Sequence, residues 1–392
     1  MGLKSNLKEE YSPLYFLASL GAGGLSVAIY MYLMFMIEHP KVPLATFEYI
    51  FPLIKAGNFI SLLVVLNILL VLIFSYLHFR LLFWNIKEYK LFKKTEKYKK
   101  LKTTNDEVTL MAIPLTLAMT INVCFVLGAA LVPGLWGVVE YMFPFAIAAF
   151  LAVGIYGLKI YGDFITRLVV SGGFDFEKNS NFSQMLATFA FSMVSVGLAA
   201  PGAMSHYVGV SAIGLFFSIF FMILSIVLVL KSMFLAFKSM YRYGISPESA
   251  GSLWMLIPIS TLLGIALIRI SFGLVHNFDQ EPSPSFLFMF SSAIVSFQII
   301  IGLFGYKVMK TLGYFRDYLH SDIKSTAALG LVCPGVAFFV FGMFFIFFGL
   351  LKNGIVEMFS IEYFIVLLPF VFIQIKTIQI FFKLLKKLIY VR

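Results

Sequence analysis

The residues able to do chemistry in this 392-residue chain are few and far apart. Cys333 sits in Leu331-Val332-Cys333-Pro334-Gly335, and a cysteine reacts as its thiolate, which needs local positive potential and access. No Lys, Arg or His falls within four positions of it, so Cys333 reads either as a redox-active thiol or as a small, soft packing residue. Cys124, among Asn122 and Phe125, reads as packing, and two such distant cysteines give neither a disulfide framework nor a metal motif. Arg269 is the basic residue placed well inside an apolar run. Its guanidinium offers five donors and keeps its charge, which suits either attraction of an anion or snorkelling to an interface. Of the five histidines only His78 lies within such a run, so a bis-histidine haem is not expected. Acidic residues avoid the cores of the runs, apart from end positions such as Glu140, and no phosphate-binding glycine loop occurs. An enzyme, a metal site and a cofactor are therefore not expected, apart from the thiol chemistry left open at Cys333.

The elements that must position these residues are apolar helices. The chain is 60% hydrophobic and 12% charged, with 46 phenylalanines, against about 25% charged residues in an ordinary soluble domain. Runs of about 20 apolar residues, each enough to cross a bilayer core of about 30 Å, recur from Pro13 onward. They give ten expected spans, at about 14–36, 59–83, 109–132, 139–161, 183–200, 207–231, 252–273, 285–306, 326–351 and 362–382, in a single transmembrane domain. The region 84–108 reads as a basic cytoplasmic loop whose Lys-Lys pairs meet water or lipid headgroups. The first span follows Glu9 and Glu10 and lacks a small-residue cleavage site, so it reads as retained. The opening Met-Gly lacks the myristoylation pattern, because Asn6 stands at its sixth position.

Charge placement fixes the orientation. Along an alternating path, 26 of the 30 Lys and Arg residues fall on one side, Lys41, Lys55 and Lys352 fall on the other, and Arg269 remains. The positive-inside rule then places both termini in the cytoplasm. The net charge of +11 belongs to this pattern, and a nucleic-acid partner is disfavoured. The connections near Pro133 and Pro201 are short and those on the basic side are long, so the chain reads as five helical hairpins.

Helix breakers and hydroxyls concentrate on the odd-numbered spans. Span 1 has Gly21, Gly23 and Gly24. Span 3 has Ile113-Pro114 with Thr116 and Thr120, span 5 has Ser192 and Ser195, span 7 has Ile257-Pro258 with Thr261, and span 9 has Pro334. A proline facing lipid would leave a carbonyl unpaired, so these spans are expected to face inward. Two arrangements follow: an inner pore lined by Gly21, Gly24, Pro114, Thr116, Thr120, Ser192, Ser195, Pro258, Thr261 and Pro334, or close helix packing through small residues.

With Ser12-Pro13-Leu14-Tyr15-Phe16 and its following glycines, the Ile-Pro-hydroxyl starts of spans 3 and 7, and the Ser325–Ala337 start of span 9, nearly the whole chain resembles the TehA and slow-type anion channel family, also known as tellurite-resistance or C4-dicarboxylate transporters. The resemblance implies a ten-helix fold of five hairpins around a central pore formed by the odd helices. It also implies a trimer whose protomers each carry an anion pathway. That family's pore is closed by a phenylalanine on span 9 before a Pro or Gly; here Cys333 stands at that position. Phe338 or Phe189 then becomes a substitute gate. A cysteine there also resembles the TsoY branch, whose members carry selenocysteine or cysteine. The expected function is a channel or passive transporter for a small inorganic or carboxylate anion, in a bacterial cytoplasmic membrane, with Arg269 where the anion enters. The competing classes are a membrane thiol or chalcogen-handling protein using Cys333, and a lipid-embedded structural subunit.

Overall fold

The computed structural model describes residues 2–278 and 283–391, and among them every extended element is a helix. Among the described residues ten helices are long and apolar enough to cross a membrane: α1 (Pro13–Met36), α2 (Phe59–Phe92), α3 (Asn105–Leu131), α4 (Leu135–Ser171), α5 (Met185–Met204), α6 (Val208–Tyr243), α7 (Ala250–Leu274), α8 (Pro284–Thr311), α9 (Thr326–Asn353) and α10 (Ile361–Leu388). This is a multi-pass membrane protein by the length and composition of its helices.

Hydropathy alone ends the even helices too early. At 1.5 Å per residue, α2 and α4 run roughly 50 Å, well beyond the bilayer core, because Lys and Arg are good helix formers and helical hydrogen bonding continues past the first charge. The basic segment at 84–108 is accordingly mostly helix: the end of α2, a short helix at Glu96–Leu101 and the first turn of α3. Part of its charge is tied down, since Glu107 pairs with Lys102 at 2.9 Å and with Arg167 of α4 at 3.1 Å.

The odd helices are 61–94% buried over their most apolar windows and the even ones only 22–33%, a division that decides which helices meet the surroundings. α1 packs on α3, α3 on α5, α5 on α7, α7 on α9, and α9 back on α1. Each odd helix also packs on the even helix after it. The breakers at the starts of the odd helices share one local device. α3, α7 and α9 each open with a tight 3-10 turn, and Pro114, Pro258 and Pro334 are each the third residue of the α-helical part that follows. Each proline thus stands where a 3-10 turn passes into the α-helix, so its missing N–H falls at the change of hydrogen-bond pattern and not in the middle of a regular ladder.

The chain ends lie together. Leu3 and Tyr390 form an isolated antiparallel bridge, Lys4 N donates to Ile389 O at 3.0 Å, and Trp84 Nε1 donates to Lys4 O at 2.6 Å. The carboxylate of Glu88, fully buried on α2, accepts the backbone N–H groups of Asn6 and Leu7 at 3.1 and 2.8 Å. Glu88→Ala leaves both donors without an acceptor, at about 1–3 kcal/mol each. The N-terminal segment of that variant is expected to be cut by protease well before the wild type, with the bundle intact; equal cleavage rates would refute this anchoring role.

Candidate functional site

A cavity of about 180 Å³ lies among the odd helices. On α5 it is lined by Phe189, Met193, Val196, Gly197, Ala200 and Met204, and on α3 by Met119, Asn122, Phe125, Val126 and Ala129. On α1 the main positions are Gly21, Gly24, Val27, Met31 and Met34; on α7, Pro258, Thr261, Ile265 and Arg269; on α9, Cys333, Val336, Val340 and Phe344. Apart from the adjacent pairs Val196-Gly197 and Phe125-Val126, each series advances by three or four residues, so each helix contributes one face. From Gly21 to Met34 the lining covers about 20 Å of helix.

Gly21, Gly24, Pro258, Thr261, Phe189, Cys333 and Arg269 thus meet at one cavity. The other expected lining residues do not reach it. Thr116 donates to Ala112 O at 2.8 Å and lies 3.2 Å from Phe16 O; Thr120 donates to Thr116 O at 2.9 Å and meets His78 Nε2 at 2.9 Å. Ser192 donates to Thr188 O and Ser195 to Ser218 O, at 2.9 and 2.8 Å. Pro114 and Pro334 are buried outside the lining. The reason is phase: Ser192 and Ser195 each stand one residue, or about 100° of helix, away from the lining positions Met193 and Val196. Phe338 packs on Phe370 of α10, with ring centroids 4.8 Å apart and the planes tilted by 35°, and does not line the cavity as a gate. Cys124, expected to be packed, is exposed on the bundle surface.

Cys333 and Phe189 are the lining residues nearest the chain termini on their helices, and Cys333 is only 8% exposed. Arg269 is partly accessible and lines the cavity. Its Nη1 donates to Val196 O at 2.8 Å, and among the described residues it forms no ion pair with a carboxylate. Thr261 donates to Ala337 O at 3.0 Å and accepts from Gln298 Nε2 at 2.8 Å, which ties α7 to α9 and α8. The amide of Asn122 donates to Ala118 O at 3.2 Å.

Other lining residues carry no signal of chemistry in the sequence. Phe150, from even helix α4, reaches the cavity over Gly197, where any Cβ would collide with its ring. Leu44 comes from the connection after α1, and Met31, Met34, Met119, Met193 and Met204 make the wall soft and apolar. Following the three-to-four-residue face through Phe189 along α5 finds Met193 and Met204, while the others lie on elements that this face does not reach. No family model, curated protein or solved structure matches the chain.

The phase argument is open to test by labelling. In a background without native cysteines, Met193→Cys and Thr261→Cys are expected to react with small water-soluble thiol reagents, whereas Ser192→Cys and Ser195→Cys stay protected. Equal protection at all four positions would mean that water does not enter the cavity.

Proposed function

We propose that the chain is a membrane channel or passive transporter for small anions, with five hairpins arranged so that the odd helices surround one pathway and the even helices face lipid. The observation that carries this reading is a cavity walled by all five odd helices that holds a guanidinium without a carboxylate partner among the described residues. A fixed positive charge on an otherwise apolar wall attracts anions and repels cations. The same wall offers few further donors, chiefly the amide of Asn122, so an anion is held weakly enough to leave. The resemblance to the TehA and slow-type anion channel family supports the same function, and suggests a trimer in a bacterial cytoplasmic membrane. The 26 to 3 division of basic residues supports cytoplasmic termini.

At the termini-side end Cys333 stands where the resemblance places a plugging phenylalanine, and Phe189, the first lining residue of α5, is the aromatic side chain in place to narrow the pathway there. The thiol reading keeps one observation in its favour, that Cys333 lines the cavity. The two are separable in purified full-length protein in liposomes. If Cys333 only leaves room, Cys333→Ser and Cys333→Ala keep the anion flux and Cys333→Phe lowers it. Abolished activity in Cys333→Ser would instead support thiol chemistry, since an alcohol is no substitute for a thiolate at neutral pH.

Arg269→Gln keeps a donor for Val196 O and removes the charge. Even at the dielectric of water, a unit charge at 4 Å contributes about 1 kcal/mol, so anion flux at low salt is expected to fall about fivefold or more. The loss is expected to shrink as screening shortens from about 30 Å at 0.01 M to about 8 Å at 0.15 M. A loss of the same size at every salt concentration rules out an electrostatic role for Arg269.

A further inference from the structure

We propose that a groove at the termini-side ends of α4 and α6 binds an anionic phospholipid, with Lys231 holding its phosphate. The groove, about 240 Å³, lies between Phe164 and Leu168 of α4, Leu235 of α6, and Phe174 and Phe176 of the connection from α4 to α5. Lys231 stands in its wall, half-buried on a helix that is otherwise apolar at this level. The ammonium donates to the phenol oxygen of Tyr161 at 2.7 Å and lies 5.4 Å from the centre of that ring. Among the described residues no carboxylate comes within ion-pair distance of it. Asp163, the acidic residue on this stretch of α4, is exposed on another face, and Asp175 of the connection pairs with Lys178 at 3.5 Å.

An ammonium has three N–H groups, and a neutral phenol answers one of them. Leaving a partly buried charge with that partner alone is costly, whereas a phosphate oxygen would accept a charge-assisted hydrogen bond. Depth identifies the phosphate's source. Lys231 comes 23 residues after Val208, about 35 Å along α6, which is one hydrocarbon thickness from the opposite end of the helix. That is the level of the headgroups on the side of the chain termini. The groove is also continuous with the outer surface, because its lining residue Val169 is 79% exposed, and the neighbouring α6 residues Leu230 and Phe234 are exposed apolar surface on which an acyl chain can lie. The side chains of Asn179, Asn181 and Gln184 form the polar edge and are already bonded within the connection: Gln184 Nε2 donates to Asn179 Oδ1 at 2.8 Å and Asn181 Oδ1 accepts from Ser183 N at 2.8 Å. The edge is thus fixed before any lipid arrives. One cation in the groove matches one phosphodiester on a headgroup with no compensating positive charge. The site depends on the membrane character of the helices and not on the proposed anion pathway.

The test is native mass spectrometry of delipidated full-length protein titrated with phosphatidylglycerol, with phosphatidylcholine and inorganic phosphate as separate arms. The wild type is expected to retain one phosphatidylglycerol, Lys231→Met to weaken it at least about fivefold, and Lys231→Arg to keep it. Leu168→Trp, which fills the groove and leaves the charge, is expected to weaken it as well and serves if Lys231→Met does not fold. Unchanged binding in Lys231→Met overturns the proposal and leaves Lys231 as a snorkelling residue. Equal affinity for phosphatidylcholine overturns the charge selection, and inorganic phosphate binding as tightly as the lipid overturns the lipid assignment.

Discussion

Inside a bilayer, a polar group that cannot reach water must find its partner within the protein, and this constraint divides the hydroxyls of the inner helices between structure and cavity. Ser195 and Ser218 each donate to the other's backbone carbonyl, at 2.8 and 2.9 Å, and join α5 to α6. Ser26 meets Ser75 at 2.8 Å across α1 and α2, and His78 links α2 to Ser19 of α1 and Thr120 of α3. Each such bond is worth about 1 kcal/mol net, and breaking one leaves a buried group whose desolvation goes uncompensated. A hydroxyl committed in this way is out of reach of any solute. The cavity wall is therefore poor in polar groups although the inner helices are not.

With the hydroxyls engaged between helices, shape is carried by glycine and phenylalanine. The Phe150 ring of α4 seats on Gly197 of α5, Phe221 of α6 on Gly154 of α4, Phe341 of α9 on Gly264 of α7, and Phe370 of α10 on Gly342 of α9. At each of these sites a Cβ would drive into the ring, and overpacking of that kind costs about 1–3 kcal/mol. Lipid tails are as apolar as these side chains, so fit rather than water exclusion holds such contacts together. At Gly197 the notch also shapes the cavity, because it admits an aromatic ring from α4 to its wall.

Ten helices were legible in the sequence because each is a long apolar run, and the breakers on the odd spans marked helices that prove the more buried. Gly21, Gly24, Pro258 and Thr261, expected to line the interior, do line the cavity, and Arg269, Cys333 and Phe189, singled out as an anion entry and as gate positions, lie on the same wall. Thr116, Ser192 and Ser195 misled for a physical reason: hydroxyl chemistry says that a residue wants a partner, but only helix phase says on which side the partner lies. Pro114 and Pro334 misled in a related way, since each stands where a 3-10 turn passes into the α-helix and is buried off the cavity, whereas Pro258 at the matching position of α7 lines it. Phe150 and Lys231 could not have been assigned from their own surroundings in sequence, because each depends on a neighbour far along the chain, Gly197 for the first and Tyr161 for the second.

The scarcity of ligands around Arg269 bears directly on the proposed function. One carbonyl dipole, that of Val196, faces the guanidinium, and the cavity wall it shares with residues such as Ile265, Met204 and Phe344 is mostly apolar. A guanidinium in such a wall keeps most of its field, because low-dielectric surroundings do little to screen it. An anion in the cavity would feel that field and would meet few other donors, so attraction would exceed retention. A tightly binding site needs several convergent donors, as phosphate-binding backbone turns have. Tyr30, which could supply one, already donates to Ala45 O at 2.7 Å, in the same connection that brings Leu44 to the cavity. The donors that would turn passage into storage are thus spent on holding the bundle in shape, and the charge that remains is suited to drawing an anion through.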